Sequence, residues 1–291
     1  MKHLFKPIPL LLLILFLITP NTVNAKAISE SNPTFNNMHI KFLNVGQGDG
    51  IIIKLPNGKS ILVDAGPREA SEVVLNGLVQ MNIKKLDLVI STHPDIDHIG
   101  GLIDILRVVP VKKIYDSGKG YDTLTYLEYI RLVHERKIPF SIVREDKYIK
   151  LDKKVKIKVL NSGEGKAFNN NASIVLMVTY KDVDILLAGD AEKIVEMKLI
   201  SKYNIKSEVL KVAHHGSSSS TSGLFLNRVS PLYAIISVDK NSPFKHPHKS
   251  VVKRLKNNNI KIFSTAKYGD INLRTDGTNL VIENETLPIH D

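Results

Sequence analysis

His93-Pro94-Asp95-Ile96-Asp97-His98-Ile99-Gly100-Gly101 decides how this chain is read. Four side chains of metal-ligand type stand within six positions, directly after the apolar, strand-like segment Leu86 to Ser91. Two imidazoles and two carboxylates crowded so closely repel and desolvate one another unless a cation lies between them. The competing reading is a polar loop of ordinary composition. The density of ligands, the preceding Leu88-Val89-Ile90 and the following Gly-Gly count against it.

Four further places carry residues of the same type, each at or after the end of an expected strand. Asp64 closes Ile61-Leu62-Val63, and Asp190 closes Ile185 to Gly189. His214 and His215 close Val209 to Ala213, and His246 and His248 follow a strand expected to end at Val238. Strand ends beside glycine (Gly66, Gly189, Gly216) hold side chains rigidly at a sheet rim while the backbone turns, which is how distant segments assemble one site.

Outward from these motifs, apolar runs of strand length recur: Ile40 to Val45, Ile51 to Leu55, Ile61 to Val63, Leu86 to Ile90 and Val111 to Tyr115. Pro56-Asn57-Gly58 is a hairpin signal. Helical spacing appears at Ala70 to Met81 and Tyr126 to His134, where Leu127, Ile130 and Val133 share a face. The second half predicts a hairpin, Ser173 to Tyr180 and Val183 to Ala188, turning at Lys181-Asp182. Helices are expected at Glu192 to Tyr203 and Ser250 to Lys256. Strands are expected at Val209 to Ala213, Ala234 to Val238, Ile260 to Phe263, Ile271 to Leu273 and Asn279 to Glu283. One domain with two sheets and outer helices fits this pattern best.

The series Asp64, His93-x-Asp95-x-Asp97-His98, Asp190, His214-His215 resembles the ordered motifs of the metallo-beta-lactamase superfamily. That resemblance implies an α/β (α+β) fold, a four-layer αββα sandwich of two mixed sheets with a dinuclear metal site at the sheet edges. Asn44 to Asp49, the Asp95 variant, Asn170-Asn171-x-Ser173, Ala188 to Glu192, Ala213 to Ser217 and His246-Pro247 are similar to the metallohydrolase domain of ComEC-type DNA-uptake competence proteins and their free-standing secreted relatives. A more distant likeness is to phosphorylcholine esterases acting on wall polymers. The resemblance implies two divalent metal ions, zinc or manganese. His93 and Asp95 would serve one, Asp97 and His98 the other. Asp190 would bridge both, and one of His214 and His215 would complete the second site, since adjacent strand residues point to opposite faces. Asp64 would hold the His93 loop by hydrogen bonds, and Asp49 is expected to act similarly.

Two departures matter. Most superfamily members have histidine where Asp95 stands, and another histidine before the bridging aspartate. Here the only histidine between His98 and Asp190 is His134, which reads as a surface residue of a helix, and the relatives place asparagine near Asn171 instead. One site is thereby richer in oxygen, which shifts preference from zinc toward manganese or magnesium.

Of the 291 residues, 43% are hydrophobic, enough for a substantial core. Met1 to Ala25 runs from basic to apolar to small residues, as a secretory signal peptide does, with cleavage expected after Ala25. The apolar run is shorter than the ~20 residues a spanning helix needs. Residues 26–37 read as a flexible tether and 38–291 as the hydrolase domain. The absence of cysteine excludes disulfides and thiolate ligands. Loss of residues 1–25 removes Lys2 and Lys6 and no acid, so the formal charge falls from +11 to +9. Such a surplus favours anionic partners, DNA or wall polymer among them. Lysines nonetheless recur along the whole chain, so charge alone marks no face.

Two cations sharing a water or hydroxide would suit phosphoester hydrolysis, with Asp97 or Asp190 orienting the nucleophile. His246, His248 or Lys245 would supply a positive group for the phosphate, and His246, followed by proline, is the one expected to act in catalysis. Ser217 to Ser222 either cradles an anion or leads into a helix at Leu224. The expected function is a secreted metal-dependent phosphodiesterase or nuclease. The alternatives are a phosphorylcholine-type or other small-ester hydrolase and, from another class, a non-catalytic wall-binding protein.

Overall fold

The computed structural model describes residues 37–284 apart from positions 164 and 167. The expected signal peptide and nearly all of the expected tether lie outside the described residues. Eight strands form the first sheet: β1 (Met38–Phe42), β2 (Gly50–Lys54), β3 (Ser60–Ala65), β4 (Leu88–Ser91), β5 (Ile114–Asp116), β6 (Phe140–Ile142), β14 (Ile271–Thr275) and β15 (Leu280–Asn284). Their order is β15-β14-β1-β2-β3-β4-β5-β6. The second sheet holds β7 (Tyr148–Ile149), β8 (Val155–Asn161), β9 (Val175–Tyr180), β10 (Val183–Leu187), β11 (Val209–Lys211), β12 (Tyr233–Ile236) and β13 (Lys261–Ser264). Their order is β13-β12-β11-β10-β9-β8-β7.

Both sheets are mixed. β3 through β6 pair in parallel, as do β10 through β13, while the remaining partners are antiparallel. The eight helices among the described residues are α1 (Ser71–Gln80), α2 (Ile96–Ile99), α3 (Leu102–Val108), α4 (Leu124–Glu135), α5 (Lys193–Lys202), α6 (Gly223–Val229), α7 (Lys249–Asn257) and α8 (Thr265–Tyr268).

The layering follows from side-chain alternation along the strands. Ile51, Ile53, Ile61 and Val63 face the inter-sheet core with Ile157, Leu176, Val178 and Ile185. Their neighbours Ile52 and Leu62 face outward, onto α1, α3 and α4 through Val74, Leu78, Leu102, Ile105 and Tyr129. On the other sheet Leu186, Leu210 and Ala234 pack on α5, α6 and α7 through Val195, Leu199, Phe225, Val251 and Leu255. Strands buried on both faces read as unbroken apolar runs, which explains Ile51-Ile52-Ile53. The result is the four-layer αββα sandwich that the resemblance implies.

Several local expectations need correction. The buried stripe of α4 is Tyr129, Leu132 and Val133, while Leu127 is exposed, so the face is rotated from the one expected. β8 was not anticipated, although Val155, Ile157 and Val159 alternate with the outward Lys156 and Lys158. The segment after Asp95, for which no helix was anticipated, forms two short helices, with Asp95 at the N-cap of α2. Gly100 and Gly101 have helical backbone angles and are small because space is lacking. A Cβ on Gly101 would stand 2.2 Å from the carbonyl oxygen of Ala65.

Backbone atoms cannot swing aside as side-chain ends can, so Gly101→Ala should lower stability by about 1–3 kcal/mol. Gly120→Ala, with open space around its Cβ, should stay within about 0.5 kcal/mol of the parent protein. Chemical denaturation of both variants checks this.

Candidate metal centre

The parallel strands β3, β4, β10, β11 and β12 end on one rim of the sandwich, where ligand-binding sites of open α/β sheets lie. Backbone bonds tie the rim together. Ile174 N–H donates to Thr92 O across the two sheets (3.0 Å), Asp49 N–H to Asp97 O (3.2 Å), Gly66 N–H to Asp49 O (2.7 Å) and His214 N–H to Gly189 O (3.0 Å).

Asp64, wholly buried at the end of β3 with φ 55°, organises the motif. One carboxylate oxygen accepts from Thr92 N–H (2.8 Å), the other from Thr92 Oγ1 (2.6 Å) and from His98 Nδ1 (2.8 Å). His93 Nδ1 lies between Thr92 Oγ1 (3.1 Å) and Ser173 Oγ (3.3 Å). His215 Nδ1 donates to Ser237 O (3.0 Å). With every Nδ1 committed, each Nε2 faces the centre.

Those Nε2 atoms converge on one carboxylate. Asp190 Oδ2 lies 3.3 Å from His215 Nε2, 3.4 Å from His98 Nε2, 3.8 Å from His214 Nε2 and 3.9 Å from His93 Nε2. Asp95 Oδ2 stands 3.5 Å from His93 Nε2, and Asp97 Oδ2 3.4 Å from His215 Nε2 and 4.0 Å from His98 Nε2. None of these closes to a hydrogen bond. Nε2 of His93, His98 and His215 and Oδ1 of Asp190 are buried with no hydrogen-bond partner. Each such atom costs about 1–3 kcal/mol. Three donor groups with ligand atoms within 4.8 Å of one another emerge among the described residues: His93, His98 and Asp190; Asp97, His98 and His215; and Asp49, Asp64 and His98, of which Asp64 and His98 already bond each other. Imidazole nitrogens and carboxylate oxygens without partners fit divalent cations.

The opposite charges of the cluster shift one another. Burial pushes the Asp190 carboxyl up, but His215 and His98 outweigh it and hold it well below the usual range. Burial likewise opposes ionised Asp97, and His98 and His215 override it downward. Burial pushes His98 down, yet Asp190, Asp97 and Asp64 hold it well above an ordinary imidazole. Against the same penalty His215 rises to about 9 beside Asp190 and Asp97.

The adjacent histidines do not point to opposite faces. β11 ends at Lys211, and His214 and His215 sit in a short helical turn with φ of 50° and 53°. Left-handed backbone at two successive residues brings both imidazoles toward Asp190. His215 is 1% exposed, whereas His214, 23% exposed, bonds Ser219 Oγ (3.2 Å) and lies 3.8 Å from Glu192.

The other expected residues scatter. Asn171 pairs with Glu192, accepting from its N–H at 3.2 Å and donating to its carboxylate at 3.4 Å. Asn169, not singled out in the sequence, is the one that donates to Asp95 (2.7 Å). His246 stands beside His214, ring centroids 5.5 Å apart, with Nδ1 unpartnered. Burial and the neighbouring His214 and His215 lower its pKa to about 4, so it is neutral at pH 7 and is not the positive group expected. His248 commits Nδ1 to Ser218 N–H (2.8 Å) at the N-cap of α7. Ser217 Oγ bonds Ser219 Oγ (3.0 Å), and the amides of Thr221 and Ser222 already bind the Glu196 carboxylate. Much of the Ser217 to Ser222 run is thus satisfied within the protein and leads into α6. Lys245 is exposed. His134 is exposed on α4, as expected.

One buried pair went unnoticed in the sequence. Lys211 Nζ lies 2.7 Å from both Asp49 carboxylate oxygens, and Asp49 Oδ1 is 3.7 Å from His215 Nδ1. Lys211 alternates with apolar neighbours at the end of a buried strand, the single charge in Val209 to Ala213, and that was the available signal.

A two-sheet sandwich whose strand ends gather this donor set is the architecture of a metal-dependent hydrolase. The model of the metallo-beta-lactamase superfamily matches residues 43–238, and the chain belongs to that superfamily. It is similar to ComE operon protein 3 of Bacillus subtilis (strain 168), 31% identical over 255 residues, 81% of this chain and 33% of that protein. Recombination protein 2 of Haemophilus influenzae is 32% identical over 248 residues, 83% of this chain and 29% of that protein. The chain spans about a third of the length of these relatives. In fold it is similar to the metallo-beta-lactamase fold protein YhfI of Bacillus subtilis, with TM-score 0.53 and 12% identity, covering 84% of this chain and 100% of that one.

Asp64→Ala should weaken binding of manganese or zinc about 10–100-fold by freeing His98 and the Thr92 turn, measured by calorimetry. Lys211→Met should destabilise by about 3–5 kcal/mol by stranding Asp49. Adding Asp49→Leu should recover most of that loss in thermal denaturation.

Proposed function

We propose that this chain is an exported metal-dependent phosphodiesterase that cleaves single-stranded DNA or a comparable polyanion. The observation that carries the reading is the set of buried, unpartnered imidazole nitrogens around Asp190, open to the outside past Asp95 and Asp97, which are 29% and 26% exposed. In this reading His93, Asp95 and Asp190 would hold one cation, and Asp97, His98, one of His214 and His215, and Asp190 the other, zinc or manganese. Bound there, two divalent cations supply Lewis acidity, making a water acidic near neutral pH and polarising a phosphoryl oxygen.

The chain's own groups do the rest. Asp97, half-open and ionised at neutral pH, accepts a proton from the attacking water and aims it at phosphorus. His246, neutral, hydrogen-bonds a non-bridging oxygen or the departing alcohol, and as the ester P–O bond breaks the alkoxide takes the proton that Asp97 received from the water. Asp64, Asp49 and Asn171 position the groups they touch. Export rests on Met1 to Ala25, which lie outside the described residues. Among the described residues no helix is long and apolar enough to cross a membrane. The names of the relatives, a ComE operon protein and a recombination protein, favour DNA among possible diesters.

A second reading, esterase action on a phosphorylcholine-type wall polymer, is favoured by one feature. Tyr121, Phe168 and Glu192 line a cavity of about 410 Å³ with Asn169, the partner of Asp95. Two aromatic rings and a carboxylate suit a quaternary ammonium.

Residues 26–291 with manganese should hydrolyse both fluorescent single-stranded DNA and bis-p-nitrophenyl phosphate, and Asp97→Ala should lose at least about a hundredfold in kcat. Cleavage of the small diester alone would turn the assignment to the wall esterase. No cleavage and no metal uptake would leave a non-catalytic wall-binding protein.

A further inference from the structure

We propose that α7 and the loop before it form a track for the phosphate backbone of single-stranded nucleic acid running away from the metal centre. The inference rests on the phosphodiesterase reading and names how its polymeric substrate is held. Lys249, Lys253 and Lys256 are exposed and recur at i, i+4 and i+7, so they share one face over ~10 Å of helix. With Pro247, Val252 and Asn257 they line a groove of about 300 Å³. No ion pair involves these three lysines among the described residues. The fourth basic side chain of the helix, Arg254, is committed to Thr221 O.

The groove begins at the site. Pro247 packs on Gly216, directly after His215, and His248 N–H donates to Gly216 O (2.9 Å). Phe244, 60% exposed, holds its ring 5.7 Å from that of His246. An exposed ring at the head of a basic groove is the pairing that single-strand binders use, bases stacking while ammonium groups follow the phosphates. The charge is local. Residues 240–269 contain eight Lys and Arg and no Asp or Glu, against a surplus of eleven for all 291 residues. A merely solvating surface has no need to exclude acids from thirty successive positions that include the mouth of the site.

The test compares two charge-reversal sets in metal-loaded protein. One is Lys249→Glu, Lys253→Glu and Lys256→Glu together. The other is Lys59→Glu, Lys150→Glu and Lys153→Glu, which line a groove beside the β2–β3 hairpin, at the opposite end of β3 from Asp64. Binding of a fluorescent phosphorothioate oligonucleotide, slow to hydrolyse, is followed by anisotropy over a range of salt. Hydrolysis of bis-p-nitrophenyl phosphate is measured alongside.

The α7 set should weaken oligonucleotide binding at least about tenfold and flatten the log–log salt dependence by about 2, three contacts at ~0.7 each. Its kcat/KM for the small diester should stay within about twofold, and the distant set should weaken binding less than about threefold. If the Glu set fails to fold, the corresponding Gln set is read the same way, with about half the effect. An equal loss from the distant set, unchanged binding in the α7 set, or no binding by the parent protein overturns the track. Cleavage is a separate readout. Oligonucleotide held on α7 yet never cut in its natural phosphodiester form sinks the phosphodiesterase reading and leaves the track standing. DNA cut by an α7 variant with unaltered binding does the reverse.

Discussion

Crowding around the Asp190 carboxylate is the constraint on which the rest of this molecule depends. Four imidazoles approach one buried oxygen within 3.9 Å, and three of them keep a buried nitrogen without a partner. Such a cluster is unfavourable in an apolar interior unless charge is balanced within it. Within the cluster the carboxylates raise His98 and His215, and the imidazoles lower Asp190 and Asp97. The unsatisfied nitrogens that remain are what a cation would complete.

Rigidity beneath the cluster comes from the sandwich. Two sheets with apolar inner faces and helices on both outer faces leave the strand ends as the place where polar side chains can gather. Each imidazole is then fixed by its second nitrogen: His98 by Asp64, His93 by Thr92 and Ser173, His215 by Ser237. Asp49 and Lys211 form a further layer behind His215. Preorganisation of this kind keeps the donors aimed whether or not the centre is filled.

Much of this was legible in the chain. Two sheets with outer helices, and the placing of Asp64, the His93 motif, Asp190 and the His214-His215 pair at strand ends, follow from apolar runs ending in polar residues and glycine, while the αββα layering came from the resemblance of the motifs. What misled was local. The alternation of Val155, Ile157 and Val159 with Lys156 and Lys158 in β8 went unread, and Gly100 and Gly101 prove to be needed for close approach to Pro67, Arg68 and Ala65. Asn171 looked like the partner of the oxygen-rich site, yet Asn169 touches Asp95, because two residues of a tight turn differ only in direction.

The sequence by itself determined the donor types, their strand-end positions, the exclusion of thiolates and the net basic charge, because composition and apolar periodicity are local properties. Tertiary structure alone decided that His214 and His215 turn to the same centre, that Lys211 is buried against Asp49, that the Ser217 to Ser222 amides serve Glu196, and that free lysines line the helix leaving the site. Those outcomes depend on left-handed backbone, on contacts between residues 162 positions apart and on which charges find partners, and none of these is written in the spacing of residues along a chain.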